Sequence, residues 1–245
     1  MPIFALKKEP YIFVEDSVKN TWGSIDHENI EHFFCYGNSQ QGNYYSNKEL
    51  HLDCPDGENI MLGGQRYYNN VLRKTIAVFE YCLDNFDFDF LFKVNTSTYV
   101  HFDNFYKYIS KQSPSQFYGG SFNGRQWASG LGLIFSKDIV ELIVSNLKNF
   151  KLSDQEDVWI GRVLAELGVP KSEITPPIFH FGSLLSAGFD DDKLQLTNLK
   201  FSLPWNGNQP FKDRFLFRCG TTKTKANTES TISRQKIIHN LFNHE

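Results

Sequence analysis

Charge of one sign is scarce in this sequence: 25 Lys and Arg stand against 28 Asp and Glu, a formal net charge of -3. That balance gives no basic footprint for a phosphate backbone, so no nucleic-acid partner is expected. Long apolar runs are also missing. None approaches the ~20 residues that cross a bilayer, and the opening Met1-Pro2-Ile3-Phe4-Ala5-Leu6-Lys7-Lys8 has no signal-peptide core. The expectation is a protein with no transmembrane segment and no export signal, cytoplasmic or working at a membrane surface. Cysteine is sparse: Cys35, Cys54, Cys82 and Cys219 are widely spaced, with no Cys-x-x-Cys pair. They read as free thiols in a reducing compartment. No internal repeat and no domain linker is visible. The length suits one large α/β domain or two small ones, and the alternation of strands and helices favours a single α/β domain.

What is present is an alternation of strand-like and helix-like stretches. Strands are expected at Ile3–Leu6, Glu31–Tyr36, Glu49–Cys54, Asp89–Asn95, Gln116–Phe122 and Gly130–Phe135. Between the second and third of these, Gly37–Asn43 is loop. Helices are expected over Tyr11–Trp22, ended by Gly23, and over Gln65–Leu83, where apolar residues recur at helical spacing. Further helices are expected over Asp103–Ser110, over about 137–147 with Ser136 as N-cap, and over Gln155–Leu167 with Ser153 or Asp154 as cap. After Pro176-Pro177 the pattern weakens. Thr221–Ser233 reads as polar and mobile, and Ile232–Phe242 as a terminal helix.

The stretch that organises the rest is Asp89–Val100. A buried apolar run ends abruptly in Asn95-Thr96-Ser97-Thr98, a cluster of small oxygen-bearing side chains. In open α/β sheets ligands bind beyond the carboxyl ends of strands, so this junction is a plausible floor for a site. A loop turning polar on reaching water would look the same. Asn95-Thr96-Ser97 also fits the N-glycosylation pattern, which in an unexported protein is a chance match.

Four further segments stand in order around it. They are Val18-Lys19-Asn20-Thr21-Trp22-Gly23, then Tyr68-Asn69-Asn70-Val71-Leu72-Arg73-Lys74-Thr75, then Ser129-Gly130-Leu131-Gly132-Leu133-Ile134-Phe135-Ser136-Lys137-Asp138, and finally Glu156-Asp157-Val158-Trp159-Ile160-Gly161. Taken together they resemble the β-1,3-glycosyltransferase superfamily that includes galactosyltransferases and Fringe. Val71 and Leu72 depart from that family's helix motif; Tyr68, Asn70, Lys74 and Thr75 match it. The resemblance covers roughly residues 15 to 170. It implies an α/β fold of the single-domain nucleotide-diphospho-sugar transferase (GT-A-like) type, a central mixed sheet flanked by helices. The motif-bearing core would be about 1–182, and 183–245 an acceptor-side or peripheral region.

The departure that matters lies at residues 95–97. The family places carboxylates there as its Asp-x-Asp motif, whereas this chain has Asn95, Thr96 and Ser97. A hard divalent cation needs anionic oxygen, so no metal and no other cofactor is expected. Fixed cations or N–H groups must then stabilise the departing diphosphate. By position the candidates are Arg73, Lys74, Lys93 and His180, with Asn95, Thr96, Ser97, Ser129 and Gly130 completing the donor side. Arg125 and Trp127 are acceptor-side candidates, and Arg125 is also a candidate diphosphate cation. Each has an ordinary alternative: a solvated charge, a tight turn, a core histidine or a packed indole. The resemblance places the general base in Glu156-Asp157-Val158; Asp157 is preferred, with Glu156 second, although both also suit a helix first turn.

The expected function is an inverting glycosyltransferase taking a hexose or N-acetylhexosamine from a nucleotide sugar, UDP-linked, to a glycan or glycoconjugate hydroxyl. A catalytically inactive module that binds sugar nucleotide or glycan is the alternative. A nucleotide-sugar hydrolase is a third reading.

Overall fold

A computed structural model describes residues 1–57, 60–62, 65–67, 69–122, 124–152, 155–174, 179–180, 213–220 and 225–243. In chain order the elements are β1 (Pro2–Phe4), α1 (Tyr11–Lys19), β2 (Phe33–Tyr36), β3 (Tyr44–Ser46), β4 (Glu49–His51), β5 (Ile60–Leu62), β6 (Gln65–Tyr67) and α2 (Asn69–Asn85). There follow β7 (Phe90–Asn95), β8 (Thr98–Val100), α3 (Phe102–Ile109), β9 (Tyr118–Gly120), β10 (Gly132–Ser136), α4 (Lys137–Ser145) and α5 (Glu156–Glu166). The last are β11 (Lys171–Glu173), β12 (Phe179–His180), β13 (Leu216–Arg218) and α6 (Lys225–Asn243).

The chain divides into two compact units, each assembled from separate segments, and this interleaving leaves no linker for the sequence to display. The first comprises Met1–Leu6, His32–Val94 and Gln112–Glu173. Its eight-stranded mixed sheet has the order β11-β9-β10-β7-β1-β2-β4-β3. β1, β2 and β4 run parallel, while β10 is antiparallel to both β7 and β9. A central strand is covered on both faces and so reads as a continuous apolar run. β7 does so with Leu91, Phe92 and Val94 buried, and the interruption at Lys93 is itself only 2% exposed. Leu72, Ile76, Phe79 and Cys82 of α2 join Ile139, Val140 and Ile143 of α4 and Ile160, Val163 and Leu164 of α5 in one apolar core against the sheet. The α/β class and the central mixed sheet flanked by helices agree with expectation.

The second unit comprises Lys7–Glu31, Asn95–Lys111 and Ile174–Glu245. Its three-stranded sheet has the order β12-β13-β8. Trp22, fully buried, packs edge-on to Phe102 at 6.0 Å and tilted to Tyr99 at 6.3 Å between ring centroids. A Cβ on Gly23 would lie 2.8 Å from the Val18 carbonyl oxygen, so the Thr-Trp-Gly signature here has a packing cause.

Several expectations need correction. Gln65–Tyr67 is not helical but pairs antiparallel with Ile60–Leu62, and α2 starts at Asn69. In the sequence Gly63-Gly64 separates the two strands, a hairpin signal that the helical periodicity masked. β3 was not expected. Its link to β4 is Asn47-Lys48, with φ of 53° and 59°, and lysine there is no turn signal. Ser136 precedes α4, but its hydroxyl accepts from the Phe117 N–H at 2.9 Å and bonds Asp138 rather than capping the helix. Ser153 and Asp154 lie outside the described residues, and Gln155 stands at the N-cap of α5. The terminal helix expected over Ile232–Phe242 is present, but it begins at Lys225, within the polar stretch expected to be mobile, as helix α6. Its buried face carries Thr228, Thr231, Arg234 and Gln235 beside Ile238, so no apolar stripe announces it. All four cysteines are free thiols.

α3 is capped by a histidine: His101 Nδ1 accepts the Asn104 N–H at 3.3 Å. That role needs a neutral imidazole, and burial holds its pKa below the usual value although Asp103 opposes this. A depressed folded-state pKa means the unfolded chain binds the proton first, so stability is lost as pH falls from the unfolded value toward the folded one. The melting temperature is expected to drop as pH falls below about 6.5, the ordinary imidazole value. His101→Asn, which caps without titrating, should flatten that slope; an unchanged slope in the variant contradicts the assignment.

Candidate functional site

In the first unit the site-bearing residues are held by two buried ion pairs. Lys93 Nζ lies 2.8 Å from Glu156 Oε2, with the two side chains 3% and 6% exposed. The same ammonium donates to the Gly130 carbonyl at 3.2 Å and stands 4.8 Å over the Phe4 ring centroid. The second carboxylate oxygen of Glu156 takes the Thr75 hydroxyl. Both oxygens of Glu156 are therefore committed and out of water. Lys74 is held in a similar way, its Nζ 2.8 Å from Asp56 Oδ1 and 2.7 Å from the Ala5 carbonyl oxygen. Asp56 also accepts the Gly37 and Gly57 N–H groups, at 2.7 and 3.1 Å.

Asp157, one residue on, points elsewhere because successive helix residues are rotated by about 100°. Its Oδ2 accepts the Gly130 N–H at 3.1 Å and its Oδ1 the Val158 N–H at 3.0 Å, and the side chain is half-buried. Gly130 is thus fastened through both backbone groups, its carbonyl to Lys93 and its N–H to Asp157. Ser129 is half-buried, and its N–H donates to the Ser121 carbonyl at 2.8 Å. Trp127 is half-buried against α5: a Cβ on Gly161 would lie 2.4 Å from Trp127 Cβ, so glycine is required for the loop to approach the helix. Arg73 and Arg125 are exposed. The structure therefore gathers Lys93, Gly130, Glu156 and Asp157 around one turn, with Lys74 in a neighbouring buried pair.

In the second unit the turn from β7 into β8 carries Asn95, Thr96 and Ser97. Asn95 Oδ1 accepts the Ser97 hydroxyl at 2.6 Å and the Thr98 hydroxyl at 3.1 Å, which occupies both of its lone pairs. Asn95 and Ser97 are half-buried, whereas Thr96 and Thr98 are buried. The turn's backbone is tied down by α6 and by the strand end opposite: Gln235 Nε2 donates to the Thr96 carbonyl at 2.7 Å, and the Cys219 N–H to the Ser97 carbonyl at 3.0 Å. In the small sheet His180 pairs in register with Arg218, and Arg218 with Thr98. The side chain of His180 lies outside the described residues.

The donor set at this turn does not fit a divalent cation. Its oxygens are neutral, the amide oxygen is saturated, and among the described residues no group of three His, Cys, Asp or Glu could hold a metal. Sequence reasoning missed Asp56 and Thr75, whose partners are remote in the chain, and Arg218. The last had a signal: Phe215-Leu216-Phe217-Arg218-Cys219-Gly220 is a strand-like apolar run closed by glycine.

Residues 15–126 match the family model described as Galactosyltransferase. That stretch contains the Lys19–Gly23, Tyr68–Thr75 and Lys93–Val100 segments on which the resemblance rests, and over it the resemblance is borne out. Among solved structures, an active-site mutant of LgtC is similar at a TM-score of 0.44 and 10% identity, with 96% of each chain covered. No described helix is long and apolar enough to cross a membrane.

The geometry separates the two adjacent carboxylates by stability. Glu156→Gln would leave the Lys93 ammonium buried without a counter-charge, and chemical denaturation is expected to show a loss of about 3 kcal/mol or more. Asp157→Asn, at a half-buried position, should cost under about 1 kcal/mol. Equal losses would show that Glu156 is not the structural member.

Proposed function

We propose that the chain is an inverting glycosyltransferase that moves a hexose or N-acetylhexosamine from a nucleotide sugar to a glycan or glycoconjugate hydroxyl without a divalent cation. The family resemblance favours UDP as the nucleotide. The observation that carries the reading is the division of labour between neighbouring carboxylates. Glu156 is buried with both oxygens bonded, while Asp157 is half-buried on the glycine turn with its Oδ2 positioned by the Gly130 N–H. Asp157 is then the general base. It takes the acceptor's proton as the hydroxyl oxygen attacks the anomeric carbon; the bond from that carbon to the diphosphate oxygen breaks, and the nucleoside diphosphate leaves with the electron pair.

Charge growing on the leaving group needs preorganised donors. Lys74 and Lys93 are held by Asp56 and Glu156, so on this reading they support the turn rather than the phosphates. Trp127 offers a half-buried ring for an acceptor sugar, with the exposed Arg125 close to it in sequence. A second reading, in which sugar-nucleotide recognition survives without turnover, is favoured by the neutral residues at positions 95–97.

Incubation with a panel of UDP-sugars in EDTA, with and without glycan acceptors, tests this by UDP release. Acceptor-dependent turnover that resists EDTA is expected. Asp157→Asn should lower kcat by at least about 100-fold with an unchanged melting temperature. UDP binding without turnover for any acceptor would establish the second reading, and activity lost in EDTA but restored by Mn²⁺ would overturn metal independence.

A further inference from the structure

Among the described residues, Arg218 is a cation whose backbone register sets it opposite Thr98, at the end of the turn where the family's carboxylates would stand. It ends β13 and is the Cα partner of Thr98 in the antiparallel pairing with β8. Directly opposed residues of such a pair project from the same sheet face, with Cβ atoms about 4.5–5.5 Å apart. The neighbouring pair confirms the alternation. Phe217 and Tyr99 share the other face, where Phe242 of α6 lies 5.8 and 6.4 Å from their ring centroids. Arg218 therefore leaves the sheet on the side of the Thr98 hydroxyl, which itself donates to Asn95 Oδ1.

Arg218 is half-buried, and no described carboxylate forms an ion pair with it. Burial holds its guanidinium below the usual arginine value, and no described acidic group opposes the shift. A partly desolvated cation of this kind gains more from an anion than a solvated one does. In the turn that begins before Thr98, Asn95 has its oxygen turned to the Ser97 and Thr98 hydroxyls. Its remaining polar atom, Nδ2, is a pure donor. The strand end that carries Arg218 is fixed, since Arg234 donates to the Cys219 carbonyl at 2.8 Å and the Cys219 N–H to the Ser97 carbonyl at 3.0 Å.

We infer that the turn at Asn95–Thr98 has inverted its polarity. With Arg218 it forms an anion site for the diphosphate of a nucleoside diphosphate, the guanidinium and the Asn95 amide standing where carboxylates and a cation would act. This rests on the transferase reading and names the cation that reading leaves open. The forked guanidinium suits two phosphate oxygens at once, which a lysine ammonium does not reproduce.

The test is calorimetric titration of the full chain, in EDTA, with UDP, inorganic pyrophosphate and uridine as separate probes. Arg218→Gln is expected to weaken UDP and pyrophosphate binding about 10- to 100-fold while leaving uridine unchanged, with Arg218→Lys in between. Asn95→Asp, at a half-buried position, provides a second variant that does not alter the strand pairing. Its carboxylate would pair with the guanidinium, so UDP affinity in EDTA should fall. UDP affinity unchanged in both Arg218 variants, a parallel loss of uridine binding, or tighter UDP binding by Asn95→Asp in EDTA would each overturn the inference. If pyrophosphate and UDP bind through Arg218 but no UDP-sugar is turned over, the anion site stands and the transferase reading falls. If turnover resists EDTA and Arg218→Gln matches the wild type, the transferase reading stands and this site falls.

Discussion

The Lys93–Glu156 pair is the constraint on which the first unit's site depends. A lysine in the middle of a central strand, sealed from water, is strongly unfavourable unless a carboxylate meets it and the remaining donors are satisfied. Here the ammonium has Glu156 and the Gly130 carbonyl, and Glu156 has Lys93 and Thr75. Those contacts fix the start of α5 against β7 and α2. Because helix geometry sets the angle between consecutive residues, placing Glu156 also aims Asp157, and the Gly130 N–H completes its orientation. The chemistry assigned to Asp157 thus depends on a neighbour that takes no part in it.

The same physics explains which site residues were legible in the sequence. Lysines at 74 and 93 stand at motif positions and look available to phosphate, because a sequence does not show that Asp56 and Glu156 will be folded against them. Their pairing is non-local, and local pattern carries no trace of it. Asp157 could be singled out because its motif is short and begins a helix, where both the cap signal and the family frame coincide. Gly161 and Trp22 belong to motifs too, yet in this structure their identities follow from packing: one lets the loop at Trp127 approach α5, and the other fills the core beneath β8. A motif therefore mixes residues retained for fit with residues retained for reaction, and only contacts separate them.

Element types were legible where burial is apolar and periodic, as in β7, α2 and α4. They were hidden where a buried face is polar. Helix α6 turns Thr231, Arg234 and Gln235 inward. Arg234 and Gln235 donate to carbonyls of β13's end and of the Asn95–Thr98 turn, so a helix legible only from Ile232 onward is what secures the turn. β3 was hidden for a smaller reason, an Asn-Lys pair taking left-handed turn positions usually signalled by Asn-Gly.

The neutral side chains at positions 95–97 and the presence of Arg218 opposite Thr98 belong to one electrostatic argument. On the proposed reading, an aspartate at 95 would put a carboxylate in the turn that Arg218 faces through Thr98, where it would compete with a ligand for the guanidinium. A neutral amide removes that competition. It also turns its oxygen to two hydroxyls of its own turn, so that what remains to be offered is N–H. The substitutions that disqualify this turn as a cation site are therefore the ones that suit it to an anion. On the proposed reading a leaving diphosphate needs compensating positive charge, and a guanidinium carried on a secured strand end would supply it from the protein itself.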